Sequence, residues 1–145
     1  MSLNDLDHLY NAKEIINILR SQKILDLFKS YKINSVIVFG SIVRKDFAEY
    51  SDVDIAILSK EKISLNSIME LEEKLKFFLK REIDIINLNN DDLDLKFKVS
   101  VYDTGILIYN DDLDLYSMDY NKTDIVYKDN EEFRYFRERD VILDE

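Results

Sequence analysis

Apolar residues recur along this chain in two rhythms, one of helical period and one of short β-branched runs, and together they predict an α+β order. Between residues 11 and 31, Ile15, Ile18, Leu19, Leu25, Phe28 and Tyr31 fall at approximately helical spacing, with Asn11 and Glu14 at capping-box positions. Ser35–Phe39 then reads as a first strand and Val53–Leu58 as a second. Ser67 and Glu70 mark a second capping box, opening a helix whose Ile68, Leu71, Leu75 and Phe78 share one face. Residues 82–88 predict a third strand and residues 92–103 a further helix, which Gly105 ends in a left-handed turn. Residues 105–109 read as a short strand. Asp111, Asp112 and Asp114 read as a solvated helix start, and a last helix is expected from Asp129, its cap, to about Arg139. No repeat, low-complexity linker or boundary interrupts this order. Residues 1–145 are therefore expected to form one domain, a small mixed sheet with helices packed on it.

Composition narrows the function more than the fold. The chain has no cysteine, which removes disulfides, zinc–thiolate sites and thiol nucleophiles. Its single histidine, His8, excludes histidine-centred triads and multi-histidine metal sites. No apolar run approaches the ~18 residues a spanning helix needs, and the N-terminal residues lack the pattern of a secretory signal, so a cytoplasmic location is expected. Thirty acids against twenty bases give a net charge of −10. That charge disfavours direct nucleic-acid binding, which needs a basic face, and favours a basic protein partner. Tyr116, Tyr120, Tyr127, Phe133, Tyr135 and Phe136, interleaved with charges after Asn110, either close the core or form a partner surface.

The chemistry concentrates between the first two strands. Gly40-Ser41 closes the first, and ten residues later Asp52-Val53-Asp54 opens the second. On a strand, residues i and i+2 share a side, so Asp52 and Asp54 project together with Cα atoms roughly 7 Å apart. Two converging carboxylates suit a hard cation, which prefers oxygen ligands. At the end of the preceding strand, the backbone N–H groups of the Gly-Ser turn and the Ser41 hydroxyl can hold phosphate oxygens, and Gly40 permits close approach. Arg44 is a candidate phosphate clamp, being a planar cation with five donors; a surface ion pair with Asp46 or Glu49 is the alternative.

The pattern GS-x10-D-x-D between two apolar strands resembles the signature of the DNA polymerase β-like nucleotidyltransferase superfamily. The short chain and Arg44 resemble its minimal nucleotidyltransferases, many of them MntA-type antitoxins encoded beside a small helical HEPN-domain toxin. The likeness is closest over residues 33–88, and Lys45 departs from it, since glycine is frequent there. The family pattern implies a third carboxylate on a neighbouring strand. Asp84, inside the run Ile83–Leu88, is the candidate, with Glu82 as the weaker one. An acid flanked by isoleucines is costly unless it is paired or metal-bound.

The resemblance implies a polymerase β-like fold and a metal-dependent transfer of AMP from ATP. Asp52, Asp54 and Asp84 would hold two Mg²⁺ ions, with Mn²⁺ as the alternative, and Asp84 would also draw off the proton of the attacking hydroxyl. Gly40, Ser41 and Arg44 would bind the nucleotide. Without metal the three acids repel one another, so at least one pKa should rise. No second domain is evident in the sequence, so the acceptor is expected from a partner: a tyrosine of a HEPN-type toxin, which the modification would silence. Two alternatives stay open, nucleotidylation of a small hydroxyl compound, for instance by a homo-oligomer, and neutralisation of the partner by binding alone.

Overall fold

The computed structural model describes residues 9–143; His8 lies outside them. Among the described residues, five α-helices and four strands follow the order α1 (Ala12–Leu19), α2 (Gln22–Ser30), β1 (Ser35–Phe39), a 3-10 turn (Gly40–Val43), β2 (Val53–Leu58), α3 (Leu65–Leu79), β3 (Ile83–Asn87), α4 (Leu95–Thr104), β4 (Ile106–Asn110) and α5 (Leu113–Leu143). The sheet order is β3-β2-β1-β4. β1 pairs antiparallel with β2 and β4, while β2 and β3 run parallel, α3 being the crossover between them.

Alternation along the strands divides the interior into two layers. Val36, Val38, Ile55, Ile57, Ile83 and Ile85 pack against Ile15, Leu19, Ile24, Phe28, Leu71 and Leu75 of α1–α3. The opposite face carries Ile37, Phe39, Ala56 and Leu58, which meet Val101, Tyr102, Leu115, Tyr116 and Tyr120 of α4 and α5. Asp54 and Asp84 have the parity of this second face.

The predicted single helix over 11–31 is two. The Asn11–Glu14 capping box forms as expected, but the chain breaks at Arg20 and restarts at Ser21. On a continuous helix Ile24 and Phe28 would face about half a turn away from Ile15 and Leu19; the break turns both pairs into one core. The next helix is capped by Ser64, not Ser67: Ser64 Oγ accepts from the Ser67 amide at 3.1 Å. Glu70 is engaged elsewhere, by the Tyr31 hydroxyl and Lys74, and closes no box.

The helix expected from residue 92 starts at Leu95, and Asp94 caps it, accepting from the Phe97 amide at 3.0 Å. Gly105 is not left-handed; its backbone is extended (φ −72°) and leads directly into β4. It is glycine for space, since a Cβ there would collide with Ile37 and the Val101 carbonyl. The helix start read at Asp111–Asp114 is real, with Asp112 accepting from the Leu115 amide. No separate helix begins at Asp129, however. α5 runs unbroken through it, as expected where no glycine or proline interrupts and Asp124 pairs with Lys128 one turn on. Tyr116 and Tyr120 close the core; Phe133, Tyr135 and Phe136 lie outside the described side chains.

Candidate active site

The end of β1 and the start of β2 form the floor of the site. Phe39 and Asp54 are register partners, so the chain leaving β1 passes directly over the second acid of Asp52-Val53-Asp54. Gly40 takes φ +76°, and a Cβ on it would collide with Asp54 Oδ2. Only glycine fits there, because an L side chain would suffer both the left-handed backbone and the carboxylate. The close approach read for Gly40 is thus first to Asp54. Ser41 follows, half-buried in the 3-10 turn, and its carbonyl accepts from the Arg44 amide at 3.0 Å.

Asp84 is the register partner of Asp54 across the parallel β2–β3 pair. It is exposed: Ile83 and Ile85 face the α1–α3 core, and alternation sends Asp84 to the other side. The burial cost expected for it therefore does not arise. Asp52 is exposed as well, while Asp54 is half-buried. Desolvation, followed by the charges of Asp84 and Asp52, raises the Asp54 pKa, and Arg44 opposes them. The expected rise on one acid thus falls on Asp54, and its causes place all three acids and Arg44 in one electrostatic neighbourhood. Glu82 is engaged elsewhere, paired with Lys76 at 2.6 Å.

Arg44 forms a surface ion pair with Asp46, Nε to Oδ1 3.2 Å. Its side chain also borders a cavity of about 810 Å³ lined by Lys13, Lys45, Phe47, Glu49 and Arg81. Asp52 lines a second cavity of about 550 Å³ with Tyr50, Phe77 and Lys80.

The donor set fits a hard cation, because every candidate ligand is a carboxylate oxygen. Among the described residues no three acids close around one point. Such an open arrangement suits Mg²⁺, which is held by one or two carboxylates and substrate phosphates rather than by an all-protein cage.

A mixed sheet with a glycine turn over an acid pair and a third acid on the parallel neighbour defines a nucleotide-handling domain. The family described as Polymerase beta, Nucleotidyltransferase matches residues 22–114. The chain belongs to this family and is a nucleotidyltransferase. The protein MJ0126 of Methanocaldococcus jannaschii is 42% identical over 77 residues, 53% of this chain and 78% of that protein. Protein adenylyltransferase MntA of Thermococcus cleftensis is 38% identical over 78 residues, 54% of this chain and 78% of that one. Among solved structures, a toxin–antitoxin with AMP-PNP aligns with a TM-score of 0.66 at 24% identity, over 83% of this chain and 96% of that one. A tri-AMPylated Shewanella oneidensis HEPN toxin in complex with MNT antitoxin gives 0.63 at 23%, over 90% and 98%. At these identities the structures speak for the fold, which is that of polymerase β-like nucleotidyltransferases. No described helix is long and apolar enough to cross a membrane.

Proposed function

We propose that this chain transfers AMP from ATP to a tyrosine of a small helical HEPN-type toxin and so acts as its antitoxin. The observation that carries the reading is the placement of Gly40 against Asp54, with Asp84 beside Asp54 in register. The turn that would receive the phosphates thus lies against Asp54, with Asp84 level with it. The relative named protein adenylyltransferase and the neighbours solved as toxin–antitoxin complexes support the acceptor class.

Backbone N–H groups of the 40–43 turn and the Ser41 hydroxyl would hold the triphosphate, and Arg44 would release Asp46 to meet it. Asp52 and Asp54 would hold two Mg²⁺ ions and Asp84 would share one of them. When bound, these ions neutralise the triphosphate and the departing pyrophosphate. The acceptor's phenolic oxygen attacks the α-phosphorus, the bond to the β-phosphate oxygen breaks, and pyrophosphate leaves. Asp84, the most solvent-accessible partner of the pair with Asp54, accepts the phenolic proton as general base. Little covalent chemistry is asked of the protein, so the rate comes from alignment and charge.

The test is intact-mass spectrometry of the chain and a HEPN-type partner after incubation with ATP and Mg²⁺. Whole AMP units on the partner, absent with Asp52→Asn, support the reading. An unmodified partner that is nonetheless silenced would replace it with neutralisation by contact. AMP transfer to small hydroxyl compounds alone would move the acceptor to that class.

A further inference from the structure

Arg81 is the most deeply buried charged residue among the described residues, only 7% exposed, although no motif in the sequence marks it. It follows Lys80, whose left-handed backbone (φ 58°) ends α3 and turns the chain inward. Its guanidinium spans two separate segments. Nη1 donates to the carbonyls of Ala48 (2.6 Å) and Ser51 (2.9 Å), and Nη2 to that of Tyr10 (2.9 Å). The Phe47 ring stacks on it, 4.2 Å from Cζ to the ring centre. A buried cation is costly, and a rigid fork bridging several carbonyls is the arrangement that offsets the cost.

What the fork holds is the turn that delivers Asp52. Ala48 and Ser51 close that turn on each other, with the Ser51 amide on the Ala48 carbonyl (3.1 Å) and the Ala48 amide on Ser51 Oγ (2.9 Å). Asp52 is the next residue. The Val53 amide then bonds to the Glu82 carbonyl at 2.9 Å, so the residues flanking Asp52 are tied to Arg81 and to its neighbour. Asp52 itself is exposed and precedes β2, so sheet pairing alone does not fix it.

We propose that Arg81 is a positioning residue: by clamping the Ala48–Ser51 turn it holds Asp52 in place beside Asp54 and Asp84. The effect on rate rests on the transfer reading above, whereas the clamp does not. Arg81→Met keeps the apolar stem and removes the fork. Arg81→Lys keeps the charge, with one ammonium that cannot span the Ala48, Ser51 and Tyr10 carbonyls.

Two readouts test this: hydrogen exchange at the Ser51 and Val53 amides, and steady-state transfer. In folded Arg81→Met we expect exchange at Ser51 to rise about tenfold or more, with Val36–Val38 in β1 unchanged. We expect kcat to fall about tenfold to a hundredfold while KM for ATP stays within about threefold, because a misplaced ligand costs rate more than ground-state binding. Arg81→Lys should recover part of both losses, and it carries the test by the same readouts if Arg81→Met does not fold. Unchanged Ser51 exchange in a folded variant overturns the clamp, and faster exchange with full kcat overturns the positioning role. A wild-type chain that transfers nothing sinks the functional reading separately. Arg81 is then judged by exchange, and a folded variant with unchanged Ser51 exchange refutes the clamp.

Discussion

Gly40 and Asp54 meet so closely that the carboxylate oxygen of Asp54 occupies the space a side chain at position 40 would need. The Gly40 turn and Asp54 are therefore one steric unit. We predict that Gly40→Ala destabilises the fold by about 1–2 kcal/mol, the cost of a left-handed non-glycine residue. It should also displace Asp54 and lower transfer by about a hundredfold or more. Gly105→Ala is the control, with extended backbone and its collision in the core against Ile37. It should cost about 1–3 kcal/mol and spare the transfer rate per folded molecule. Thermal melts and single-turnover assays on both variants decide.

The crowding of Asp54 sets a pH dependence with a definite sign. Its pKa in the fold lies above the ordinary 3.8, so the folded state binds that proton more tightly than the unfolded state. Asp54's contribution is therefore fully present below pH 3.8 and is lost as pH rises through its raised value. In EDTA, Asp54→Asn should melt higher than wild type at pH 7. The gap should shrink on acidification and close below pH 3.8. A gap that does not depend on pH would refute this origin.

Triphosphate binding should depend on divalent metal. Three carboxylates and a triphosphate repel unless neutralised, and the opposing cation Arg44 is exposed and shared with Asp46. Calorimetry should show weak ATP binding in EDTA and at least about tenfold tighter binding with Mg²⁺ or Mn²⁺. Equal affinity in both would refute the metal role. Asp52→Asn should keep the fold, as its side chain is exposed, and lose the metal-dependent gain.

Arg44 separates binding from stability. Its pair with Asp46 is solvent-exposed, and such pairs contribute about 0–1 kcal/mol. Arg44→Ala should leave the melting temperature nearly unchanged while raising KM for ATP by about tenfold, the loss of one charge-assisted phosphate contact. An unchanged KM would make Arg44 a surface ion pair and nothing more.

Much of this arrangement was legible in the chain itself. β1 and β2 fall where the β-branched runs place them, because those runs have no competing helical period and are bounded by turn residues. The sides on which Asp54 and Asp84 stand follow from strand alternation, whereas Asp52 lies one residue before β2. Errors gathered where several local choices were nearly equal. Ser64 and Ser67 can each cap a helix; the helix starts at Leu65, so Ser67 lies inside it with its amide on Ser64 Oγ, and Glu70 is taken by Tyr31 and Lys74. The break at Ser21 has no glycine or proline to announce it; it arises because Ile15 and Leu19 must share a core with Ile24 and Phe28.

By itself, then, the sequence determined the strands, the glycine turn and the side of its strand on which each of Asp54 and Asp84 stands, because these depend on the one-residue and two-residue geometry of the backbone. The tertiary structure alone decided how those pieces meet. Parallel pairing of β2 with β3 brings Asp84 level with Asp54, across 29 intervening residues. Packing of α3 buries Arg81 against the turn before Asp52, from 33 positions away from Ala48. Packing of α4 and β4 against β1 makes Gly105 a matter of space and not of backbone handedness. Contacts over such separations are fixed by what the hydrophobic layers can jointly bury, which no local pattern encodes.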